Sequence, residues 1–86
     1  MDINNLISII KKKISAEIVC EKIKVEDKSF LHKNHSGNDN SKFHIKLSIE
    51  SNELKKINKI ESNKKIYKIL NEEMSQSIHS LQILID

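Results

Sequence analysis

The hydrophobic positions of this chain follow two periods, and the points where one replaces the other divide it into elements. Ile3, Leu6, Ile7, Ile10 and Ile14 recur at three- and four-residue steps, which gathers side chains on one face of an α-helix. Asp2 stands where an N-cap accepts a backbone N–H. A helix is therefore predicted over residues 2 to 14, with Lys11, Lys12 and Lys13 in its last turn, where cations suit the negative end of the helix dipole. From Ala16 to Glu26 the pattern turns β-like: in KIKVED, Ile23 and Val25 alternate with charges. Residues Asp27 to Ser41 are polar and hold the only glycine, Gly37, which predicts a long loop of the kind that often carries function.

The second half repeats the two periods. KFHIKLSIES is the clearest strand, with Phe43, Ile45, Leu47 and Ile49 on one face and His44, Lys46, Ser48 and Glu50 on the other. NELKKINKI predicts a short helix with Leu54, Ile57 and Ile60 pointing inward. Ser62 is placed to cap a longer helix, NKKIYKILNEEMSQSI, whose apolar face is Ile66, Ile69, Leu70 and Met74. In the closing HSLQILI, Leu81, Ile83 and Ile85 alternate with polar and apolar neighbours. The order α-β-β-α-α-β, without repeat or linker, predicts one small α+β domain over residues 1–86, a three-stranded sheet with its helices on one face. The last strand must pair beside one of the other two. That brings His79, its first residue, to an end of the sheet, and topology decides whether it is the loop's end.

Composition narrows the function classes. Aromatic residues are 3% of the chain and tryptophan is absent, so stacking platforms for single-stranded nucleic acid lack their parts. The net charge is +3 from 15 basic residues, all lysine, against 12 acidic ones. Without arginine there is no bidentate fork for phosphate or guanine. The one cysteine, Cys20, cannot form an internal disulfide and suits a reducing compartment. In MDINNLISIIKKKIS the positive charges follow the apolar residues, the reverse of a secretory signal. No apolar run nears the roughly 20 residues that span a bilayer. The expectation is a cytoplasmic protein without a membrane segment. The single glycine excludes both a phosphate-cradling loop and a GxxG loop, and nothing beside Cys20 suggests the orienting base of a nucleophile. An enzyme is not expected.

VEDKSFLHKNHSG, KFHIKLSIES and NKKIYKILNEEMSQSIHSLQI, in that order, resemble the successive signatures of the BolA family. These are an acidic-Ser-x-x-His segment after the first strand, a His-Phe-type strand ending in serine, a helix with Tyr and a Leu-x-x-Glu-Leu-like pattern, and a closing His-Ala-Leu. The resemblance runs from about Leu6 to Ile85. It departs at Ser62-Asn63-Lys64, where the family has Arg-His-Arg, near Lys56, where it has glycine, at Ile45 in place of an aromatic, and at Ser80 in place of alanine.

The resemblance implies a fold related to class II KH domains. It also implies a partner, a monothiol glutaredoxin, in a heterodimer bridged by a [2Fe–2S] cluster to which glutaredoxin and glutathione give thiolates. The BolA side gives the histidine at the start of its last strand and a His or Cys of the long loop. By position these are His79 with His35 or His32. The chain would be an adaptor in iron–sulfur trafficking or iron sensing, a monomer when free, with no cofactor held tightly by itself.

The chemistry is compatible, since imidazole ligates iron in Rieske-type [2Fe–2S] centres. Two or three donors on one chain cannot enclose a cluster but can cap one held by a partner. His35, beside Ser36 and Gly37, is the first choice; His32, nearer the strand and matching Ser-x-x-His, is the second. His44, on the polar face of its strand, is expected outside the core and near the site without ligating. Cys20 is expected to be a small half-buried side chain. A structural zinc site would want four ligands with thiolates among them. The alternative function is a DNA-binding transcriptional regulator whose contacts are Lys55, Lys56, Lys59, Lys64, Lys65 and Lys68 of the helix-turn-helix-like region, set against a plain reading of these lysines as a solvated face.

Overall fold

In the computed structural model, Asp2 caps α1 (Ile3–Glu17) as predicted, its carboxylate accepting the Asn5 N–H at 2.9 Å. The helix continues a turn past Ile14, because Ile18, four residues on, belongs to the same buried face with Leu6, Ile10 and Ile14. Lys11 to Lys13 therefore lie inside the helix and not in its last turn, and the β region expected from Ala16 begins only at Lys22. The structure is described for residues 2–29 and 42–86. His32 and His35 lie outside the described residues.

β1 (Lys22–Asp27), β2 (Phe43–Glu50) and β3 (Ile78–Ile85) form one sheet in the order β1-β2-β3. β1 pairs antiparallel with β2, Val25 opposite Leu47. β3 pairs parallel with β2, Leu47 opposite Ile83. A parallel pair needs a crossover, which the helices between Glu50 and Ile78 supply. Side chains alternate across the sheet, so Val25, Ile45, Leu47 and Ile49 share the inner face and are buried, with Leu81, Ile83 and Ile85 partly buried beside them. α1 packs on β1, α4 on β3, and α3 on both helices, so the helices cover this one face. Lys22, Lys24, Lys46, Ser48 and Gln82 occupy the other.

The crossover differs from the sequence reading in three places. α2 (Asn52–Lys55) is a single turn, and Ile57 and Ile60 are exposed; of the expected inward set only Leu54 is buried. α3 (Lys59–Ile69) starts earlier than Ser62, with Asn58 as its cap, accepting the Glu61 N–H at 2.8 Å. Ser62 is instead buried within α3, where its hydroxyl donates to the Leu54 carbonyl at 3.1 Å and ties α3 to α2. The predicted long helix is broken at Leu70 (φ −97°, ψ 18°), and its remainder is α4 (Asn71–Gln76). Ile66 and Leu70 are buried and Ile69 and Met74 partly so, as their spacing required. The buried Glu73 of α4 receives the Lys13 ammonium of α1 at 2.6 Å, with Glu72 at 3.5 Å. Glu73's hydrogen bond is the main reason that the Lys13 pKa is raised, with the charges of both carboxylates adding to it.

Candidate functional site

Strand direction decides which residues meet. Because β3 runs parallel to β2, Ile78 lies beside Phe43, and the start of the last strand stands at the end of the sheet where β1 stops and β2 begins. Phe43 N–H donates to the Ser77 carbonyl at 2.8 Å and seals that corner. β1 ends at Asp27 and β2 begins at Phe43 at this same end. His79 thus lies on the loop's side of the sheet, the point that patterning had left open.

The register slips by one between the Phe43–Ile78 pair and the His44–Ser80 pair. His79 is the extra residue of this bulge. It has no partner opposite it in the ladder and is exposed, in keeping with the way bulges re-aim single side chains. His44 and Ser80, being paired, project on the same outer face, and His44 Nδ1 is hydrogen-bonded to Ser80 Oγ at 2.6 Å. The rings of His44 and His79 meet edge to face, their centroids 4.7 Å apart and their planes at 72°. His44 was expected on the polar face, and it is there; yet it is only 5% exposed.

The chain leaving β1 is fastened to this histidine. Ser29 N–H donates to Asp27 Oδ1 at 2.9 Å, a turn of the kind short polar side chains make with their own backbone. Ser29 Oγ accepts the His44 N–H at 3.0 Å, and Lys28 N–H donates to the His44 carbonyl at 2.7 Å. The serine of the acidic-Ser-x-x-His segment thus anchors the start of the connection to β2. Nearby, a hydrogen bond from Lys28 at 3.0 Å holds the Glu26 pKa below its ordinary value, helped by the charges of Lys24, Lys28 and Lys46.

Cys20 is far from this end. It precedes β1, whose Lys22 pairs with Glu50 at the opposite edge of the sheet's length. It is half-buried, and burial, with the charges of Glu21 and Glu53, raises its thiol pKa. Among the described residues no three His, Cys, Asp or Glu side chains stand together as a metal cage. His79 and His44 are the imidazoles that the structure brings together.

The six lysines lie elsewhere, beginning where β2 ends. Lys55 and Lys56 close α2, and Lys59, Lys64, Lys65 and Lys68 are on α3, all exposed. Lys64, Lys65 and Lys68 border a shallow groove with Ile57 and Glu61. Lys65 and Lys68 also face α1 across a second cleft. Lys65 lies 3.8 Å from Glu53, so its charge is partly answered. With α2 a single turn, the first helix of the helix-turn-helix-like region is vestigial.

Residues 14–85 match the family model described as BolA-like protein. The chain belongs to the BolA-like family. It is 36% identical over 75 residues to a protein of Haemophilus influenzae named DNA-binding transcriptional regulator BolA, covering 87% of this chain and 70% of that one. Among solved structures, the BolA domain of SufE1 from Arabidopsis thaliana superposes with a TM-score of 0.82 at 25% identity, over 99% of this chain and 94% of that domain. BolA1 from the same plant follows at 0.78 and 25%, over 93% and 88%. Mouse BolA1, at 0.73 and 18% over 92% and 62%, shares the fold. The BolA-like fold is thus what sets β3 parallel to β2 and brings its first histidine to the loop's end. Sequence reasoning had His79 and expected His44 near the site, but missed the burial of His44 and Ser80 as its partner. The substitution of serine for alanine at residue 80 was the signal.

Proposed function

We propose that this BolA-like protein is an adaptor and not an enzyme, binding a monothiol glutaredoxin and completing the ligation of a [2Fe–2S] cluster held between them. The observation that carries the reading is the placement of His79: exposed, at a bulge, beside a second imidazole, at the end of the sheet where β1 ends at Asp27 and β2 begins at Phe43. A donor so placed fits a cluster that another chain already holds. Imidazole on iron and thiolates on the far side are a chemically sound donor set. His79 is the first ligand, and His35, or His32 in its place, the second. When bound, the cluster supplies a redox-active and exchangeable iron centre; the chain's part is to present an imidazole and to exclude competing geometries. Trafficking of clusters or sensing of iron would follow from reversible capture.

The test is titration of cluster-loaded monothiol glutaredoxin with this protein, followed by visible circular dichroism. A new spectrum complete at one-to-one stoichiometry, abolished by His79→Ala, supports the reading, and His35→Ala separates the two loop histidines. An unchanged spectrum, with the apo-proteins also failing to associate, overturns it.

A second reading has its own support, the exposed lysines of α2 and α3 and the name carried by the Haemophilus relative: sequence-tolerant DNA binding through Lys55, Lys56, Lys59, Lys64, Lys65 and Lys68. Such contacts act on phosphates and fade with salt. Binding to a duplex should lose roughly 0.9 of its log–log salt slope for each phosphate contact removed, so Lys64, Lys65 and Lys68 changed together to Gln should lower it by about 3. A slope that does not move would place the contacts elsewhere.

A further inference from the structure

We propose that Ser80 is a positioning residue that acts through His44 to hold the ring of His79 in one orientation. The inference rests on the reading of His79 as the cluster donor, and it assigns work to two side chains that the reading leaves idle.

His79 is poorly fixed by its own strand. As the extra residue of the bulge it has no neighbour opposite in the ladder, and it is exposed, so neither cross-strand packing nor burial selects its rotamer. Among the described residues, what stands against it is the ring of His44, at 4.7 Å and 72°. That ring, by contrast, is held. The His44 main chain is anchored on both sides, its N–H to Ser29 Oγ at 3.0 Å and its carbonyl to Lys28 N–H at 2.7 Å. The side chain is buried, and Ser80 Oγ meets Nδ1 at 2.6 Å. The hydroxyl thereby bears on how the His44 ring is turned and on which edge or face it offers to His79. The bulge makes this possible: by displacing His79 it pairs Ser80 with His44 on one face and leaves the intervening residue to lean against the ring.

A ligand already held near its bound orientation loses less freedom on coordination, and partners that orient a ligating imidazole are a recurrent part of metal sites. Ser80 would act here one step removed, through ring-to-ring contact, so the effect should be the size of a single hydrogen bond and not that of a lost ligand.

Ser80 is exposed, so Ser80→Ala should fold normally, and Ser80→Thr keeps the hydroxyl. In the full chain without metal, labelled at histidine, ring-to-ring nuclear Overhauser contacts between His44 and His79 should be present, weaken in Ser80→Ala and return in Ser80→Thr. Capture by cluster-loaded glutaredoxin should weaken roughly three- to tenfold in Ser80→Ala and be restored by threonine. Contacts that survive Ser80→Ala would overturn the proposal, as would contacts that are lost with affinity unchanged. Should loaded glutaredoxin fail to bind the unaltered protein, the adaptor reading falls, and the metal-free spectra still decide whether Ser80 orients the ring pair.

Discussion

Leu47→Ala and Leu84→Ala remove the same atoms from the two faces of one sheet, and their costs should differ severalfold. Leu47 is fully buried at the middle of the central strand, between Val25 on β1 and Ile83 on β3. Strands on both sides leave the site little room to collapse, so the cavity persists and the loss should fall in the middle or upper part of the usual range, about 3–4 kcal/mol. Leu84 projects outward opposite Ser48 and is 40% exposed. It has partial burial to lose and leaves no enclosed void, so about 1 kcal/mol or less is expected. A domain of 86 residues has roughly 4–13 kcal/mol of stability in total. Urea unfolding followed by far-ultraviolet circular dichroism separates the cases: with a slope of about 1 kcal/mol per molar, Leu47→Ala should lower the midpoint by about 3–4 M, or leave the chain unfolded in water if the parent is near the lower bound. Leu84→Ala should lower it by less than about 1 M. Equal losses would refute the one-sided packing.

Other consequences can be checked with the same protein. Asn58→Ala should cost about 1 kcal/mol as the loss of the true α3 cap. Ser62→Ala should cost a similar amount as the loss of the brace to Leu54, whose carbonyl keeps the Ile57 N–H at 3.3 Å. Each should lower the melting temperature by about 4–8 °C, and a neutral Asn58→Ala would return the cap to Ser62. The raised Lys13 pKa means that its pairing with Glu73 stabilises the fold fully below the ordinary value of 10.5 and is lost as pH rises through the folded value. The difference in urea midpoint between the parent and Lys13→Met should therefore be constant near neutrality and shrink above about pH 10.5. Glu26 works in the opposite sense: its lowered pKa stabilises above 4.5 and is lost as pH falls through the folded value, so Lys28→Ala should flatten the acid limb of the profile. Because burial raises the Cys20 thiol pKa, alkylation at pH 8 should be several times slower in the folded chain than in urea; equal rates would contradict its placement.

Most of the fold was legible because each element declares its own period. The alternation of Phe43 to Glu50 and the three- and four-residue steps of α1 follow from which side chains must leave water, a local matter. Element limits were less legible where burial beyond the local window extends or ends a segment. Ile18 carries α1 a turn further, Leu70 breaks the long helix, and the exposed Ile57 and Ile60 read as inward because helical spacing alone cannot tell which apolar residues find a partner. The serine at 62 satisfied the rule for a cap; what made it a brace was the approach of the Leu54 carbonyl, eight residues away in sequence.

The site divides in the same way. Residue type and order marked His79, the loop histidines and the BolA-like signatures, since those are properties of the string of letters. The direction of β3, its register against β2 and the bulge at His79 belong to the tertiary structure, because a strand's alternation is the same whether its neighbour runs parallel or antiparallel. Only the pairing sets Ser80 against His44 and His44 against His79, 35 residues apart in the chain. The sequence by itself determined which side chains could serve as donors. The packing of the sheet decided which of them meet, since contact depends on distances between elements that no local pattern encodes.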